Sequence, residues 1–189
     1  VPEVYGTEYN KTARKEAFRQ GIKILERPIR KKFAAIFFFH VLEHVPNPKS
    51  FLEEQIKMLK PGGKIGISVP NQDGPIKYVS SSSFNLPPHH LTHWRLETLQ
   101  KLAEETGLKV ERFAYEPLCA RDYYYYSYHW VEYRFPGHSR TQQFLRNLLH
   151  SILPKMFQLV FKVLNKFGKK SISLFKGQAI YILMSKPEK

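Results

Sequence analysis

The sequence is short of several residue types, and each shortage excludes a class of protein. Its 189 residues include a single cysteine, Cys119, which excludes a disulfide framework and a zinc site built from cysteine thiolates. No uninterrupted apolar run reaches the ~18 residues of a standard membrane-spanning helix. The first residues have neither the basic flank nor the apolar stretch of a signal peptide. These absences predict a cytoplasmic protein of one ordinary domain.

Acidic residues are missing from most of the C-terminal third. The chain has 30 Lys and Arg against 16 Asp and Glu, a formal charge of +14. No acidic residue lies between Glu132 and Glu188. The excess charge is therefore concentrated in one stretch, which predicts an anionic partner there or a merely solubilising surface. The basic residues of this stretch are Arg134, Arg140, Arg146, Lys155, Lys162, Lys166, Lys169, Lys170, Lys176 and Lys186.

The remaining pattern alternates between strands and helices. The almost wholly apolar run Phe33–Phe39 is typical of a strand buried on both faces, as in a parallel sheet. The alternation predicts an α/β sheet with helices on both faces, and ligands beyond the carboxyl ends of its strands. Helices are predicted over 12–20, 48–59 and 95–106, and further strands over 4–7, 22–25, 64–69, 108–115 and 178–185.

Three motifs occur in order along this predicted sheet: HVLEHV at 40–45, LKPGG at 59–63 and PPHH at 87–90. With them the chain resembles the class I S-adenosylmethionine-dependent methyltransferases, over residues 4–117 and 177–186. The resemblance implies a Rossmann-like sheet whose last strand is antiparallel. It also implies transfer of a methyl group to an O, N or C nucleophile.

One part of the family pattern has no counterpart here. Aligned on the motifs, residues 4–7 form the second strand of the family sheet and residues 178–185 the seventh. The first strand is absent, and so is the glycine-rich turn after it, which holds the methionine part of the cofactor. The sheet is therefore expected to be incomplete. We expect a fragment of a longer methyltransferase, inactive alone and binding S-adenosylmethionine weakly or not at all. The alternative is a non-catalytic methyltransferase-like domain used for binding or assembly.

The resemblance assigns cofactor roles to residues that follow predicted strands. Glu8 is expected to accept hydrogen bonds from both ribose hydroxyls, since a carboxylate offers two acceptor oxygens. A surface carboxylate favoured by the dipole of the following helix is the alternative for Glu8. The other expected cofactor contacts are Pro28, Ile29, Phe39 and His40.

Histidines supply the candidates for catalysis. His40 and His90 are the predicted bases, because an imidazole can remove a proton near pH 7. Packing and hydrogen bonding alone are the alternative role for these side chains. With no cysteine nearby and no paired carboxylate, the ligand count at the PPHH motif predicts no metal site. The residues expected to face the acceptor substrate are His44, Asn71, His89, His93 and Tyr124.

Residues 118–176 are predicted to form a basic, aromatic, helical insert between a core at 1–117 and a final strand at 177–189. Three interpretations stay open for the insert. It forms an interfacial helix on an anionic membrane through 139–170, an RNA surface, or a lid or dimer surface. Because the insert is aromatic as well as basic, a small-molecule or lipid-like acceptor is expected rather than nucleic acid. A homo-oligomer is compatible with the same features.

Overall fold

The computed structural model describes residues 3–8, 10–25, 31–78, 85–117, 120–166 and 176–188. The chain forms two compact units, residues 1–32 and residues 33–189. Each unit has its own sheet.

The first unit is a strand, a helix and a second strand. Strand β1 (Tyr5–Gly6) pairs in parallel with β2 (Lys23–Ile24), and helix α1 (Lys11–Arg19) connects them. The side chain of Asn10 starts the helix, because its oxygen accepts hydrogen bonds from two backbone N–H groups of the first turn. Gly21, at φ +78°, ends it in the left-handed region that favours glycine. The predicted order of elements is confirmed here, with shorter strands.

The second unit is built on a four-stranded sheet in the order β3-β4-β6-β5. Strand β3 runs parallel to β4, whereas β6 lies antiparallel between β4 and β5. The predicted α/β fold with an antiparallel last strand is therefore confirmed. The strands are β3 (Phe33–Phe39), β4 (Leu59–Pro70), β5 (Lys109–Tyr115) and β6 (Ala179–Ser185).

In the described part of this unit, four α-helices accompany the sheet. Asn47 caps the start of α2 by accepting from the N–H of Ser50, and a proline follows it in the first turn, where no N–H is needed. Gly107, at φ +71°, follows the end of α3. No helix in the described residues is both long and apolar enough to cross a membrane. The helices are α2 (Pro48–Lys57), α3 (Leu96–Glu105), α4 (Ala120–Arg134) and α5 (Arg140–Lys166).

The core lies where β4 and β6 meet α2 and α3. Among the strands of this sheet, the two central ones carry nearly all of the buried apolar side chains, because each has a neighbouring strand on both sides. This core fixes the carboxyl ends of β3 and β4, which lead into the candidate site. Its largest fully buried apolar side chains are Leu42, Leu52, Leu59, Ile65, Leu99, Ile180 and Met184.

The prediction that β3 is buried on both faces is wrong. Phe38 packs into the core, but Phe37 is 56% exposed and Phe39 is 66% exposed. The rings of Phe37 and Phe39 stack on each other on the open face, with centroids 6.1 Å apart. Within the described residues, β3 is an edge strand that pairs with β4 alone. An apolar run predicts a strand, but it does not say which of its faces another element covers.

Candidate active site

The candidate site begins at a strained residue where β3 ends. His40 has φ +52°, in the left-handed region that few non-glycine residues occupy, although histidine is among the more tolerant. Its N–H donates to the carbonyl of Ser68 on β4 at 2.9 Å. Such a conformation costs about 1–3 kcal/mol and is commonest at functional sites. It turns the chain out of the sheet into a short 3-10 helix, Leu42–His44.

Glu43 joins the HVLEHV motif to the PPHH motif. Its carbonyl accepts hydrogen bonds from the N–H groups of Leu91 and Thr92, at 2.8 and 3.1 Å. Its carboxylate is 1% exposed, and Oε1 lies 3.2 Å from Nδ1 of His40. Two motifs that are more than forty residues apart in the sequence therefore meet around one buried acid.

Three more histidines lie in the same region. Nδ1 of His44 donates to the carbonyl of His89, and the ring of His44 meets the ring of His90 edge-on at 5.2 Å. Nδ1 of His90 is 3.2 Å from Oδ1 of Asn85, and Nε2 of His93 is 2.7 Å from the carbonyl of Asn85. Burial lowers the pKa of His90 below its usual value and outweighs the attraction of Glu43, so this ring is neutral at pH 7.

A cleft of about 310 Å³ opens beside these residues. It contains both predicted catalytic histidines and a tyrosine of the insert, Tyr125. Burial raises the pKa of the Tyr125 hydroxyl, and its ring packs edge-on against His129 at 4.2 Å. The cleft is thus lined partly by imidazole and phenol groups and partly by apolar ones. Its lining residues are His40, Pro70, Ile76, His90, Glu116, Tyr125, Gln178 and Ala179.

Asn71, which the sequence analysis expects to face the acceptor, is not among the residues that line the cleft. It is fully buried, and its Nδ2 donates to the carbonyl of Gly177 at 2.9 Å. Its Oδ1 accepts from the N–H of Asp73 at 3.0 Å. Because both ends of the amide are in use, Asn71 holds the end of β4 against the start of β6.

Tyr124 lies beside the cleft residue rather than in the cleft. Its ring is mostly exposed and stacks on Tyr128, with centroids 6.4 Å apart. The next residue, Tyr125, lines the cleft instead. Successive helical residues point about 100° apart, so a one-residue difference changes the face entirely. His89 and His93 hold the loop through the hydrogen bonds given above, and their contact with substrate stays a prediction.

The predicted cofactor residues are divided between the two units. Glu8, in the first unit, has an exposed carboxylate whose Oε1 accepts from the N–H of Asn10 at 2.7 Å. Phe39 and His40, in the second unit, are exposed at the end of β3. Pro28 and Ile29 lie outside the described residues.

Sequence reasoning missed several lining residues, among them Glu116, Gln178 and Ile76. Glu116 follows β5, and Gln178 immediately precedes β6. The rule that ligands lie beyond the carboxyl ends of strands would have found Glu116, and Gln178 lies at the same edge of the sheet because β6 is antiparallel to β5. Ile76 lies in a short 3-10 helix, Pro75–Tyr78, which no sequence pattern indicated.

A family model for a methyltransferase domain matches residues 1–112, more than half of the sequence. The chain belongs to this family. The chain therefore has the class I fold of S-adenosylmethionine-dependent methyltransferases, as the motifs implied.

Individual relatives of this methyltransferase domain are more distant. A mitochondrial ubiquinone biosynthesis O-methyltransferase of Dictyostelium discoideum is 36% identical over 69 residues, 34% of this chain and 21% of that protein. The match thus spans about a fifth of the length of this curated relative. A structure from Bacillus halodurans assigned as a methyltransferase superposes with a TM-score of 0.56 at 18% identity, covering 99% of this chain and 84% of the other. An S-adenosylmethionine-dependent methyltransferase from Archaeoglobus fulgidus gives 0.52 at 18% identity, covering 96% and 75%. At these identities the structures support the fold.

The residues of this domain fit the family cofactor in part. The exposed Glu8 carboxylate keeps acceptor capacity for hydroxyls beyond the hydrogen bond from Asn10. The exposed ring of Phe39 is a surface on which an aromatic base can stack. The sequence has no glycine-rich G-x-G-x-x-G turn to approach the methionine end. Each of these two residues, taken within its own unit, has chemistry that suits part of the nucleoside.

Proposed function

We propose that this methyltransferase domain methylates a hydroxyl group of a small, lipid-like acceptor bound in the cleft. One observation carries the proposal: the cleft is lined by His40, whose imidazole is held by the buried carboxylate of Glu43. S-adenosylmethionine supplies the methyl group as an electrophile when bound. The protein must then orient the acceptor and remove the proton of its hydroxyl.

His40 is the proposed general base. Its Nδ1 faces Oε1 of Glu43 at 3.2 Å, which makes Nδ1 the donor and leaves the lone pair on Nε2. A carboxylate that fixes the tautomer of an imidazole in this way also stabilises the imidazolium formed when Nε2 takes a proton. Backbone strain at His40 fits the same role, because the left-handed conformation turns the chain at the carboxyl end of β3 and holds the ring there.

The acceptor class is supported by the apolar part of the cleft and by a relative. Pro70, Ile76 and Ala179 give the cleft an apolar wall, and Tyr125 adds an aromatic ring. The D. discoideum relative is named for an O-methylation in the biosynthesis of ubiquinone. An aromatic hydroxyl next to an apolar chain matches both observations.

A substitution at His40 tests this function. The change His40→Asn removes the base and keeps a residue that tolerates the left-handed backbone. Because this chain is expected to be inactive alone, methyl transfer from radiolabelled S-adenosylmethionine would be measured in the full-length protein, with a catechol and a prenylated catechol as acceptors. We expect transfer to the prenylated compound, with kcat about 100-fold lower in His40→Asn. The exposed His138→Asn, outside the cleft, is the control and should match the parent protein.

Calorimetric titration with S-adenosylhomocysteine accompanies this assay. We propose weak but measurable binding, because the glycine-rich turn is absent from the sequence. Binding without transfer to either acceptor would refute the acceptor class. The absence of both binding and transfer in the full-length protein would refute the enzymatic function.

The insert supports a lipid-like acceptor through a surface of its own. Six apolar side chains of α5 share one face of the helix and are 38–64% exposed. The exposed Lys155 and Lys162 flank this stripe, and no acidic residue occurs anywhere from 133 to 187. On the opposite side, His150 bonds to Glu132 of α4 at 2.8 Å. The stripe consists of Leu145, Leu148, Ile152, Met156, Leu159 and Val163.

We propose that this stripe contacts an anionic membrane surface, since basic residues beside an apolar face are typical of interfacial helices. Vesicle sedimentation tests it with two variants that add the same charge, Leu159→Asp on the stripe and Gln158→Asp beside it. We expect binding to vesicles containing phosphatidylglycerol but not to phosphatidylcholine alone. Leu159→Asp should bind about tenfold more weakly than Gln158→Asp, because it also removes an exposed leucine that would insert into the membrane surface. Equal binding by both variants, or a dimer in solution without vesicle binding, would refute a membrane contact.

A further inference from the structure

One carboxylate and two imidazoles converge at the junction of the two motifs. A carboxylate oxygen of Glu43 and one ring nitrogen each of His44 and His90 all lie within 4.8 Å of one another. The hydrogen bonds from Leu91 and Thr92 to the Glu43 carbonyl hold the two segments together. The cluster is therefore fixed by the backbone and is not a chance meeting of flexible surface side chains.

The hydrogen bonds around the cluster set the protonation of both rings. His44 donates through Nδ1 to a backbone carbonyl, which cannot itself donate, so the lone pair of His44 is on Nε2. Oδ1 of Asn85 accepts from Gln72 at 3.1 Å, and His90 Nδ1 lies 3.2 Å from the same oxygen. His90 is therefore also protonated on Nδ1, and its Nε2 is left for a ligand bond.

Glu43 contributes negative charge, and its Oε1 already accepts from Nδ1 of His40 at 3.2 Å. Its Oε2 is buried and has no hydrogen-bond partner among the described residues. Nε2 of His44 is 4.0 Å from Oε1, which is too long for a hydrogen bond. A buried carboxylate oxygen and two imidazole lone pairs thus meet with no donor between them. An electron-poor centre would satisfy all three.

We propose that Glu43, His44 and His90 bind a divalent transition-metal ion. One carboxylate with two imidazoles is a donor set that suits Zn²⁺, Mn²⁺, Fe²⁺ or Co²⁺. Metal-bound histidines usually donate their other ring N–H to a carbonyl or similar acceptor, which the His89 carbonyl and the Asn85 amide oxygen supply here. Bonds of about 2.0–2.2 Å place ligand atoms about 3–3.5 Å apart. The cluster must close by about 1 Å, and the half-exposed ring of His44 can make that move.

Three protein ligands leave coordination positions open. Because His90 also lines the cleft, an ion at this site would border the proposed acceptor. A metal-bound hydroxyl loses its proton more easily, and His40 would take that proton on Nε2. This role rests on the proposed function, whereas binding of the ion does not.

Calorimetric titration of the chelator-treated protein with Zn²⁺ tests the site, and the visible absorption of bound Co²⁺ reports its ligands. We expect one tight ion per chain and at least about 100-fold weaker binding in His44→Ala and in His90→Ala. His44 is half exposed, so its substitution should leave the fold intact. The exposed His138→Ala is the matched control, since it removes a histidine outside the cluster.

The outcomes separate this inference from the proposed function. No tight ion in the parent protein, or unchanged affinity in both His44→Ala and His90→Ala, would overturn the metal site. Metal binding in a protein that neither binds S-adenosylhomocysteine nor transfers methyl groups would leave the site standing and refute only the function.

Discussion

Gly177→Ala is expected to destabilise the protein by about 3 kcal/mol or more, near the upper end of single substitutions. A Cβ at this position would lie 1.8 Å from the backbone oxygen of Glu116 and 2.7 Å from its carbonyl carbon. Both atoms belong to the backbone, so no side-chain rotation relieves the clash. Urea denaturation would measure the loss as a lower midpoint.

The backbone around Gly177 cannot easily shift to make room. The Gly177 carbonyl accepts from the Asn71 amide, the Gln178 carbonyl accepts from the Asn71 N–H at 2.8 Å, and Glu116 N–H bonds to Ala179 at 2.9 Å. Since Glu116 and Gln178 also line the cleft, we expect the variant to lose activity along with stability.

Gly107→Ala is the matched control for this prediction. Gly107 has φ +71°, but nothing lies within 4 Å of a Cβ built there. It should therefore cost only the backbone strain of the left-handed region, roughly 1–2 kcal/mol. If Gly177→Ala were no more destabilising than Gly107→Ala, the tight packing of β5 against the start of β6 would be wrong.

The sequence predicted where the strands and helices lie better than it predicted which of their faces are buried. Alternating patterns located the strands, and the motifs implied the antiparallel β6. Burial depends on which elements pack together, which explains why the exposed Phe37 and Phe39 were expected to be buried. Within the run Tyr123–Tyr126, every residue type is the same, and only the rotation of α4 selects Tyr125 for the cleft.

The cluster of Glu43, His44 and His90 is a second case in which the sequence does not show which residues come together. The sequence offered His89, His90 and His93 as neighbours, and their ligand count predicted no metal site. In the fold, His90 instead meets Glu43 and His44, which precede it by more than forty residues. Ligand counts along the chain therefore miss a set that is completed by contact between two loops.

The buried carboxylate of Glu43 leads to a second prediction about stability. Substituting it should have opposite effects on the free energy of unfolding of the metal-free and the metal-bound protein. In metal-free protein, Glu43→Gln should raise the free energy of unfolding by about 1–3 kcal/mol, because an amide removes a buried charge whose Oε2 has no hydrogen-bond partner among the described residues. The Gln oxygen still accepts from His40, and the new NH₂ group can donate to a histidine lone pair.

With Zn²⁺ at about 100 times its Kd, the parent protein should gain about 2.7 kcal/mol and Glu43→Gln should gain none. Urea denaturation with and without the ion measures both effects, and the exposed Glu104→Gln, which should change stability by less than about 0.5 kcal/mol, is the control. A loss of stability in metal-free Glu43→Gln would mean that the carboxylate is already satisfied without an ion. If Glu43→Gln is more stable than the parent protein without the ion, and only the parent is stabilised by the ion, the Glu43 carboxylate must cost stability until a cation binds. That is the property of a metal ligand rather than of a structural acid.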